Sequence, residues 1–464
     1  MARKVFISFL GTNVYFPVYY VWGPEKRRIT EYRTQFVQEA LVTELCREWG
    51  SDDCIMIFRT EQSNAKNWID HNDRNGLRTT LKNIAGLQCQ INPEINPEED
   101  NYIIQTGFSE PDLWQIFKCI FDKIQLEDDI YFDVTHAFRT IPMFTTALFN
   151  YARFLKHSKV KGVYYGAFES LGSFSEVQKM PEERLDVPIV DLTNIVRLQE
   201  INTAAASFRD FGVMRAFSSI LYNTGVENLD ATRNAISTAL KNLDFYIQTS
   251  RIDDICRGEY MAVLATGIEQ FCNNPSTNEA QRTLMLKIYE QLLTYGFEPA
   301  DRYENIEAAI KWAIDHNMIQ QAYTMAKEYL ISTAYDILLD LNLRTRFIEE
   351  RMIIGRNTTY KIREALNGIM CANKAFDGQN YSFSGEPWMS SVVANELLNN
   401  KPLFFNDITD PFKSLTNRRN DLNHAGTNQG ALVYSTFTDY QEEFRLYWQQ
   451  CLNVLNIFYE TESI

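Results

Sequence analysis

The 464-residue sequence contains no apolar run of the roughly 18 to 20 residues that would span a bilayer. Its opening stretch, MARKVFISFLG, carries two basic side chains but turns polar at residues 11–13, before a signal-peptide core is complete. We therefore expect a soluble, cytoplasmic protein.

The motifs of the commonest nucleotide and metal sites are missing as well. Neither G-x-G-x-x-G nor G-x-x-x-x-G-K-[ST] occurs, which disfavours a dinucleotide cofactor and P-loop hydrolysis. The eight cysteines form no C-x-x-C pair and have no histidine nearby at zinc-ligand spacing. We expect structural thiols, no metal and no cofactor.

Basic residues are too few for a protein that coats nucleic acid. The sequence has 45 Lys and Arg against 60 Asp and Glu, for a net charge of −15. This balance argues against a broad basic surface. It leaves room for an enzyme that meets RNA at one narrow, locally basic cleft.

What the first part of the chain does contain is an alternation of short apolar runs with helical periodicity. Apolar residues recur at three-to-four spacing between Leu113 and Ile124, which predicts a helix. The predicted strands are residues 4–10, 54–58, 102–105, 129–134 and 160–168. Strands that alternate with helices predict βαβ units and a mostly parallel sheet.

Helical patterns dominate the rest of the chain. The clearest are residues 306–317, 320–342, 360–370 and 440–459. A break at residues 181–188 is the best domain boundary. The predicted fold class is therefore α/β plus all-α, with an α/β domain over residues 1–190 and a helical region over 191–464.

The first candidate site is the segment D-V-T-H-A-F-R, residues 133–139, which follows an apolar strand and precedes Pro142. Pro142 suits the first turn of a helix, so the segment is a turn between a strand and a helix N-terminus. Ligands gather at such turns in parallel sheets, and the helix N-terminus favours anions. Thr135 and His136 offer hydrogen-bonding groups, and Arg139 can hold a phosphate.

A second turn of this kind, Gly11-Thr12-Asn13, follows the first predicted strand. Its glycine would let a ligand approach the backbone. The two turns together would form the floor of one nucleotide-binding crevice. In a purely structural interpretation, Thr135 caps the helix, Arg139 pairs with a surface carboxylate and His136 is a satisfied turn histidine.

The second candidate site lies in L-T-N-R-R-N-D-L-N-H-A-G, residues 415–426. On a helix, Arg419 and Asn420 precede His424 by about one turn, so the three side chains can converge. A guanidinium stabilises charge on a pentacoordinate phosphorus and an imidazole moves a proton. This pairing suits phosphodiester cleavage without a metal if the ribose 2′-hydroxyl is the nucleophile.

The alternative for this segment is a basic helix end. Arg418 and Arg419 would then pair with Asp421 or Asp410, and His424 would cap the C-terminus before a glycine.

Taken together, these motifs resemble the CARF-HEPN ribonucleases of type III CRISPR systems. The resemblance combines D-V-T-H-A-F-R after a strand, an opening strand ending S-F-L-G-T-N, Y-Y-G-A-F-E at residues 164–169, and R-N-D-L-N-H near the end. It covers nearly the whole chain and is strongest over residues 1–200 and 325–460. The family pattern often has glycine where Ala137 stands.

The resemblance implies a Rossmann-like CARF domain that senses a cyclic oligoadenylate, with cyclic tetra-adenylate favoured and cyclic hexa-adenylate the alternative. The residues implied in binding it are Gly11, Thr12, Asn13, Thr135, His136, Phe138 and Arg139.

A helical HEPN domain at about residues 300–464 is implied to cut single-stranded RNA without metal, leaving 2′,3′-cyclic phosphate ends. Its implied catalytic residues are Arg419, Asn420 and His424, from each protomer of a homodimer or of an assembly of dimers.

Two other functions stay open: a ligand-sensing transcription regulator and a helical scaffold without catalysis. Against the regulator, the second half has no convincing helix-turn-helix with basic recognition residues.

Overall fold

The computed structural model describes residues 2–93, 101–136, 141–221, 230–350, 357–371, 392–424 and 437–462. The chain divides into two compact units, Met1–Gln199 and Glu200–Ile464. The first is an α/β unit, and the described part of the second is built from helices. An α/β fold followed by helices is the fold class that the sequence predicts.

The first unit is organised around one eight-stranded sheet. Its strands are β1 Lys4–Leu10, β2 Tyr19–Trp22, β3 Arg27–Arg28, β4 Cys54–Arg59, β5 Gln90–Ile91, β6 Asp129–Asp133, β7 Lys159–Gly166 and β8 Asp186–Asp191. The order across the sheet is β3-β2-β8-β7-β6-β1-β4-β5.

The sheet is mixed, and five of its seven strand pairings are parallel, in line with the mostly parallel sheet that the sequence predicts. Strands β5, β4, β1, β6 and β7 are parallel to one another, whereas β8 runs antiparallel to β7 and β3 antiparallel to β2. The chain order reverses between β1 and β6, since β4 and β5 continue to one side of β1 and β6 and β7 to the other. A reversal of this kind opens a crevice at the carboxyl ends of the two strands.

Side chains of β1 alternate between two hydrophobic cores, as expected for a strand covered on both faces. Val5, Ile7 and Phe9 contribute to one core, which includes residues of the helices Glu110–Lys123 and Ile141–Lys156. Phe6 and Leu10 contribute to the other, which includes residues of the helices Val37–Leu45 and Leu77–Lys82. The helices of this unit and its junction are α1 Val37–Leu45, α2 Glu61–Ser63, α3 Leu77–Lys82, α4 Glu110–Lys123, α5 Ile141–Lys156, α6 Phe174–Val177 and α7 Thr193–Phe211.

One predicted strand, residues 102–105, is wrong. This segment forms a single bridge, between Ile103 and Arg59 at the end of β4, with hydrogen bonds of 3.0 and 2.8 Å on either side. The pairing ends at this bridge. Strand β5 pairs with the beginning of β4, and the 102–105 segment reaches only the last residue of β4.

The second unit has one continuous hydrophobic core. Its helices are α8 Met214–Ile220, α9 Asp230–Gln248, α10 Ile252–Cys256, α11 Glu259–Asn273, α12 Glu279–Tyr295, α13 Glu304–Asp315, α14 Ile319–Asp340, α15 Arg344–Glu350, α16 Thr358–Met370, α17 Val392–Asn400, α18 Pro402–Asp407, α19 Thr409–Asn423 and α20 Phe437–Glu462. Helix α14 packs against α13, α16, α19 and α20. Across the described residues, none of the helices combines the length and apolar character needed to cross a membrane.

Candidate functional site

The two turns predicted to form a crevice follow neighbouring strands. In the parallel ladder of β1 and β6, Ser8 lies opposite Asp133. The turn that begins at Gly11 and the turn that contains Thr135 and His136 therefore leave the sheet side by side, at the point where the chain order reverses.

A buried hydrogen-bond network fixes the second turn. Asp133 is fully buried and accepts hydrogen bonds from Ser8 Oγ at 2.7 Å, from the Thr135 backbone N–H at 2.9 Å and from Thr135 Oγ1 at 2.5 Å. The Thr135 hydroxyl in turn accepts from the Gly166 N–H at 2.9 Å, which ties the turn to β7. Burial raises the pKa of Asp133 despite these hydrogen bonds. The Thr135 hydroxyl is thus already engaged within the protein.

The first turn is held by side chains from outside it. The buried Asn67 amide donates to the backbone carbonyls of Gly11 at 2.9 Å and Asn13 at 3.0 Å. At Gly11 a β-carbon would lie 2.8 Å from the Tyr15 hydroxyl and 3.5 Å from His136 Cβ. A β-carbon here would force the Tyr15 hydroxyl to shift, whereas its contact with His136 would be an ordinary one.

A cavity of about 560 Å³ opens between these turns. Its size lies within the range of small-molecule sites. Aromatic and hydrogen-bonding side chains dominate its lining, which comprises Asn13, Val14, Tyr15, Phe16, Tyr20, Gln35, Thr135, His136, Tyr165, Gly166, Phe168, Glu169, Gly172 and Phe174. Among these lining residues, Glu169 is the one charged side chain when the histidine is neutral.

Two residues that line the cavity carry a buried polar atom without a well-formed hydrogen bond among the described residues. The rings of Tyr15 and His136 lie 4.6 Å apart, and neither the Tyr15 hydroxyl nor His136 Nε2 makes a hydrogen bond of good geometry within the described residues, although both atoms are buried. Burial lowers the pKa of His136 to about 4, so its imidazole is neutral near pH 7. A buried polar group without a partner costs stability and calls for an explanation, such as a ligand that completes its hydrogen bonds.

Two of the predicted ligand-binding residues, Phe138 and Arg139, lie outside the described residues. Helix α5 begins at Ile141, directly after that segment. The backbone N–H groups in the first turn of a helix favour an anion.

In the second unit, α19 carries the predicted catalytic arginine next to an arginine with a different environment. Arg418 forms an ion pair with Glu443 of α20 through both Nε and Nη2. Arg419 instead contacts side-chain amides. Its Nη1 donates to Asn420 Oδ1 at 3.3 Å, and the Asn423 amide oxygen, when turned toward the guanidinium, lies 2.9 Å from Nε.

The basic helix end considered above is confirmed in one respect and wrong in the other: His424 is the C-cap residue, but the arginines pair differently. Within the described residues neither arginine forms an ion pair with Asp410 or Asp421, and Asp421 accepts a hydrogen bond from the Tyr440 hydroxyl instead. Because Arg419 has no carboxylate partner in this part of the structure, its positive charge is available to an anion.

His424 is the C-cap residue of α19. Its backbone N–H donates to the Asn420 carbonyl at 2.9 Å, and its side chain is exposed to solvent. The structure therefore brings Arg419 and Asn420 into contact and sets His424 one turn beyond Asn420, at the helix end. As for metal ligands, the described ranges contain no group of three or more His, Cys, Asp or Glu side chains placed to hold an ion.

Sequence reasoning missed several residues that shape these sites. Tyr15 has no local signal, because only the fold brings it against His136. Asp133 does have a local signal in the sequence. A carboxylate at the end of an apolar strand is unusual and predicts a buried polar network. Asn423 lies within the recognised segment, one turn after Arg419, at the spacing that lets two helix side chains meet.

The fold and sites define an α/β unit with a cavity at the reversal of strand order, followed by a helical unit in which an arginine without a carboxylate partner among the described residues precedes an exposed histidine on the same helix. No model of a known protein family matches the sequence. The chain is similar to the CRISPR-associated protein MJ1674 of Methanocaldococcus jannaschii, with 23% identity over 374 residues, or 80% of this chain and 49% of that protein. The chain thus spans about half the length of the curated relative that it matches.

Proposed function

We propose that this protein is a CRISPR-associated endoribonuclease that cuts single-stranded RNA without a metal when a cyclic oligoadenylate binds its N-terminal unit. The observation that carries the proposal is the contrast on α19: Glu443 neutralises Arg418, while Arg419 contacts only amide groups among the described residues. An uncompensated guanidinium followed by an exposed His424 suits a phosphodiester substrate.

The reaction needs only groups that this chain and RNA supply. The ribose 2′-hydroxyl attacks the adjacent phosphorus, the bond to the 5′-oxygen breaks, and the products end in a 2′,3′-cyclic phosphate and a 5′-hydroxyl. One imidazole accepts the 2′-hydroxyl proton and a second protonates the leaving oxygen, so a homodimer that joins two copies of His424 completes the proton balance. Arg419 stabilises the charge on the phosphorane oxygens, and Asn420 orients the guanidinium.

The proposed activator binds the cavity of the first unit. Adenine rings suit its aromatic walls, and we expect the Tyr15 hydroxyl and His136 Nε2, which make no well-formed hydrogen bond among the described residues, to bind polar groups of the ligand. Thr135 fixes the turn through its hydrogen bonds to Asp133. Arg139 and the N-terminus of α5 bind phosphates of the cyclic oligoadenylate. Cyclic tetra-adenylate is the favoured ring and cyclic hexa-adenylate the alternative.

The similarity to a CRISPR-associated protein supports this biological setting. A role in type III antiviral defence follows if the activator is a cyclic oligoadenylate made on infection. The activator must bind the cutting-competent state more tightly than the idle state, since a ligand shifts an equilibrium only by that difference.

One panel tests the proposal. Labelled single-stranded RNA and duplex DNA are incubated with the protein alone and with cyclic tri-, tetra- and hexa-adenylate. We expect RNA cleavage that one ring stimulates, with His424→Ala purified in parallel as the control for contaminating ribonuclease. Ligand-dependent DNA binding without cleavage would identify a transcription regulator, and inactivity with every ring would favour a scaffold.

A further inference from the structure

A buried histidine lies between the ends of two helices in the second unit. His316 directly follows α13, and 7% of its surface is exposed. Its Nδ1 lies 2.8 Å from the carbonyl oxygen of Trp312, in the last turn of α13. Its Nε2 lies 3.1 Å from the carbonyl oxygen of Arg209, in the last turn of α7. Both ring nitrogens of this histidine therefore face hydrogen-bond acceptors.

The protonation of the ring decides how many of these contacts are hydrogen bonds. A carbonyl oxygen only accepts, and a neutral imidazole has a single N–H group, so its second nitrogen would turn a lone pair toward an oxygen. A protonated imidazole has two N–H groups and donates to both Arg209 and Trp312. A cation is also favoured at the last carbonyls of a helix, because they lie at the negative end of the helix dipole. Two helix ends meet at this ring, so the geometry favours its protonated form.

The C-terminal end of α7 packs closely against the ring. Gly212 follows the helix in the left-handed conformation, with φ of 66°, and a β-carbon there would lie 2.9 Å from His316 Cγ. The Val213 N–H, which would bind the Arg209 carbonyl if the helix continued, donates to the Ser207 carbonyl at 3.3 Å. The Arg209 carbonyl is thereby left to the imidazole.

The aromatic and charged groups around His316 belong to α7, α12, α13 and α20. The ring centroids of Trp312 and Tyr295 lie 4.0 and 5.8 Å from that of His316, and aromatic rings attract a cation. Burial raises the pKa of Tyr295 to about 12, and Lys311 lies over its ring at 5.3 Å. The charged side chains next to the two helix ends are already paired, Arg209 with Asp210 and Asp315 with Arg445. Carboxylate, guanidinium, ammonium and phenol groups ordinarily keep their charge between pH 6 and 8.5, so among these residues the histidine is the group that titrates there.

We infer that His316 is a pH-sensitive latch, which in its protonated form holds the C-terminal end of α7 to α13 through the Arg209 and Trp312 carbonyls. Helix α7 begins within the first compact unit and ends within the second, so the latch acts on the segment through which the chain enters the helical unit. When the proton is lost, one of the two hydrogen bonds is lost with it, and the end of α7 opens more readily. The latched protein holds a proton that the unfolded chain releases, so this stabilisation is present at low pH and falls as the pH rises. The inference does not depend on the proposed ribonuclease function.

The test compares the wild type with His316→Gln at pH 6 and pH 8.5, on either side of the ordinary titration of histidine. Hydrogen–deuterium exchange with mass spectrometry measures the amides of residues 200–213, at the end of α7. At pH 6 they should exchange about tenfold faster in the variant, the effect of losing a hydrogen bond to a charged group. At pH 8.5 the difference should shrink to about threefold or less, and the difference in melting temperature should shrink with it. His157→Gln is the matched control, since this histidine is exposed and the variant should differ from the wild type equally at both pH values.

A difference for His316→Gln that stays equal at the two pH values, or grows as the pH rises, would show that the ring is neutral in the folded protein and would overturn the latch. The wild type alone provides a second measurement if His316→Gln does not fold. After correction for the intrinsic pH dependence of amide exchange, protection of residues 200–213 should fall between pH 6 and 8.5 relative to protection in α14. A constant ratio would also overturn the inference. Neither result bears on RNA cleavage, which the panel of RNA and DNA substrates tests separately.

Discussion

Arg418 and Glu443 form a two-point ion pair between α19 and α20, so the guanidinium directly before Arg419 is already neutralised. The first prediction follows from this asymmetry. Arg419→Ala should lower the RNA cleavage rate by about 10² to 10³ or more, because charge on the phosphorane is no longer stabilised. Arg418→Lys, which keeps the charge, should reduce the thermal stability with little change in rate. Similar rate losses in both variants would contradict the assignment.

His424 lies at the end of α19 with an exposed side chain, and its backbone N–H donates a hydrogen bond to the Asn420 carbonyl. His424→Ala should therefore melt at close to the wild-type temperature and lose RNA cleavage. Calorimetry should give unchanged affinity for the activating ring. A folded variant that still cuts at the wild-type rate would remove His424 from the mechanism.

Cleavage should persist in excess EDTA, because the 2′-hydroxyl, an imidazole and a guanidinium supply the nucleophile, the proton transfers and the charge stabilisation. End analysis of the products should give 2′,3′-cyclic phosphates. Strict dependence on a divalent ion, restored when the ion is added back, would require a different active site.

Tyr15 tests the cavity of the first unit. Tyr15→Phe removes a buried hydroxyl that makes no hydrogen bond of good geometry within the described residues, so the melting temperature should stay the same or rise. Affinity for the cyclic oligoadenylate should fall about tenfold, the value of one hydrogen bond to a ligand in a desolvated site. Unchanged affinity would exclude the hydroxyl from the binding site.

The His136 imidazole predicts a dependence of stability on pH. Its pKa in the folded protein is about 4 because it is buried, below the value of about 6.5 expected in the unfolded chain. Between these values the unfolded chain binds a proton that the folded protein does not, so stability falls as the pH drops from about 6.5 toward 4. The raised pKa of Asp133 acts in the opposite direction.

The measurement is therefore a difference between two proteins. Melting temperatures of the wild type and His136→Gln are compared at pH 7 and pH 5, and the wild type should lose more on acidification. Equal losses in the two proteins would show that His136 is not the titrating group.

Much of the fold is present in local patterns. Strand β1 matches its prediction, and β4, β6, β7 and α4 differ from theirs by a few residues at most, because each is an apolar run or an apolar stripe with its own period. Strands β2, β3, β5 and β8 were missed. They have two to six residues, and their pairing depends on partners far along the chain.

The candidate sites were likewise predicted only in part from the sequence. Sequence alone identified the turn around Thr135 and His136 and the segment from Arg419 to His424, because strand, turn and helix signals are local and the reactive residue types stand within one helical turn of each other. Only the tertiary structure decided that the rings of Tyr15 and His136 lie 4.6 Å apart and that Glu443 pairs with Arg418 rather than Arg419. Such contacts join residues that are far apart in the chain. Whether a charged side chain has a partner depends on how the helices pack, and no short stretch of sequence encodes that packing.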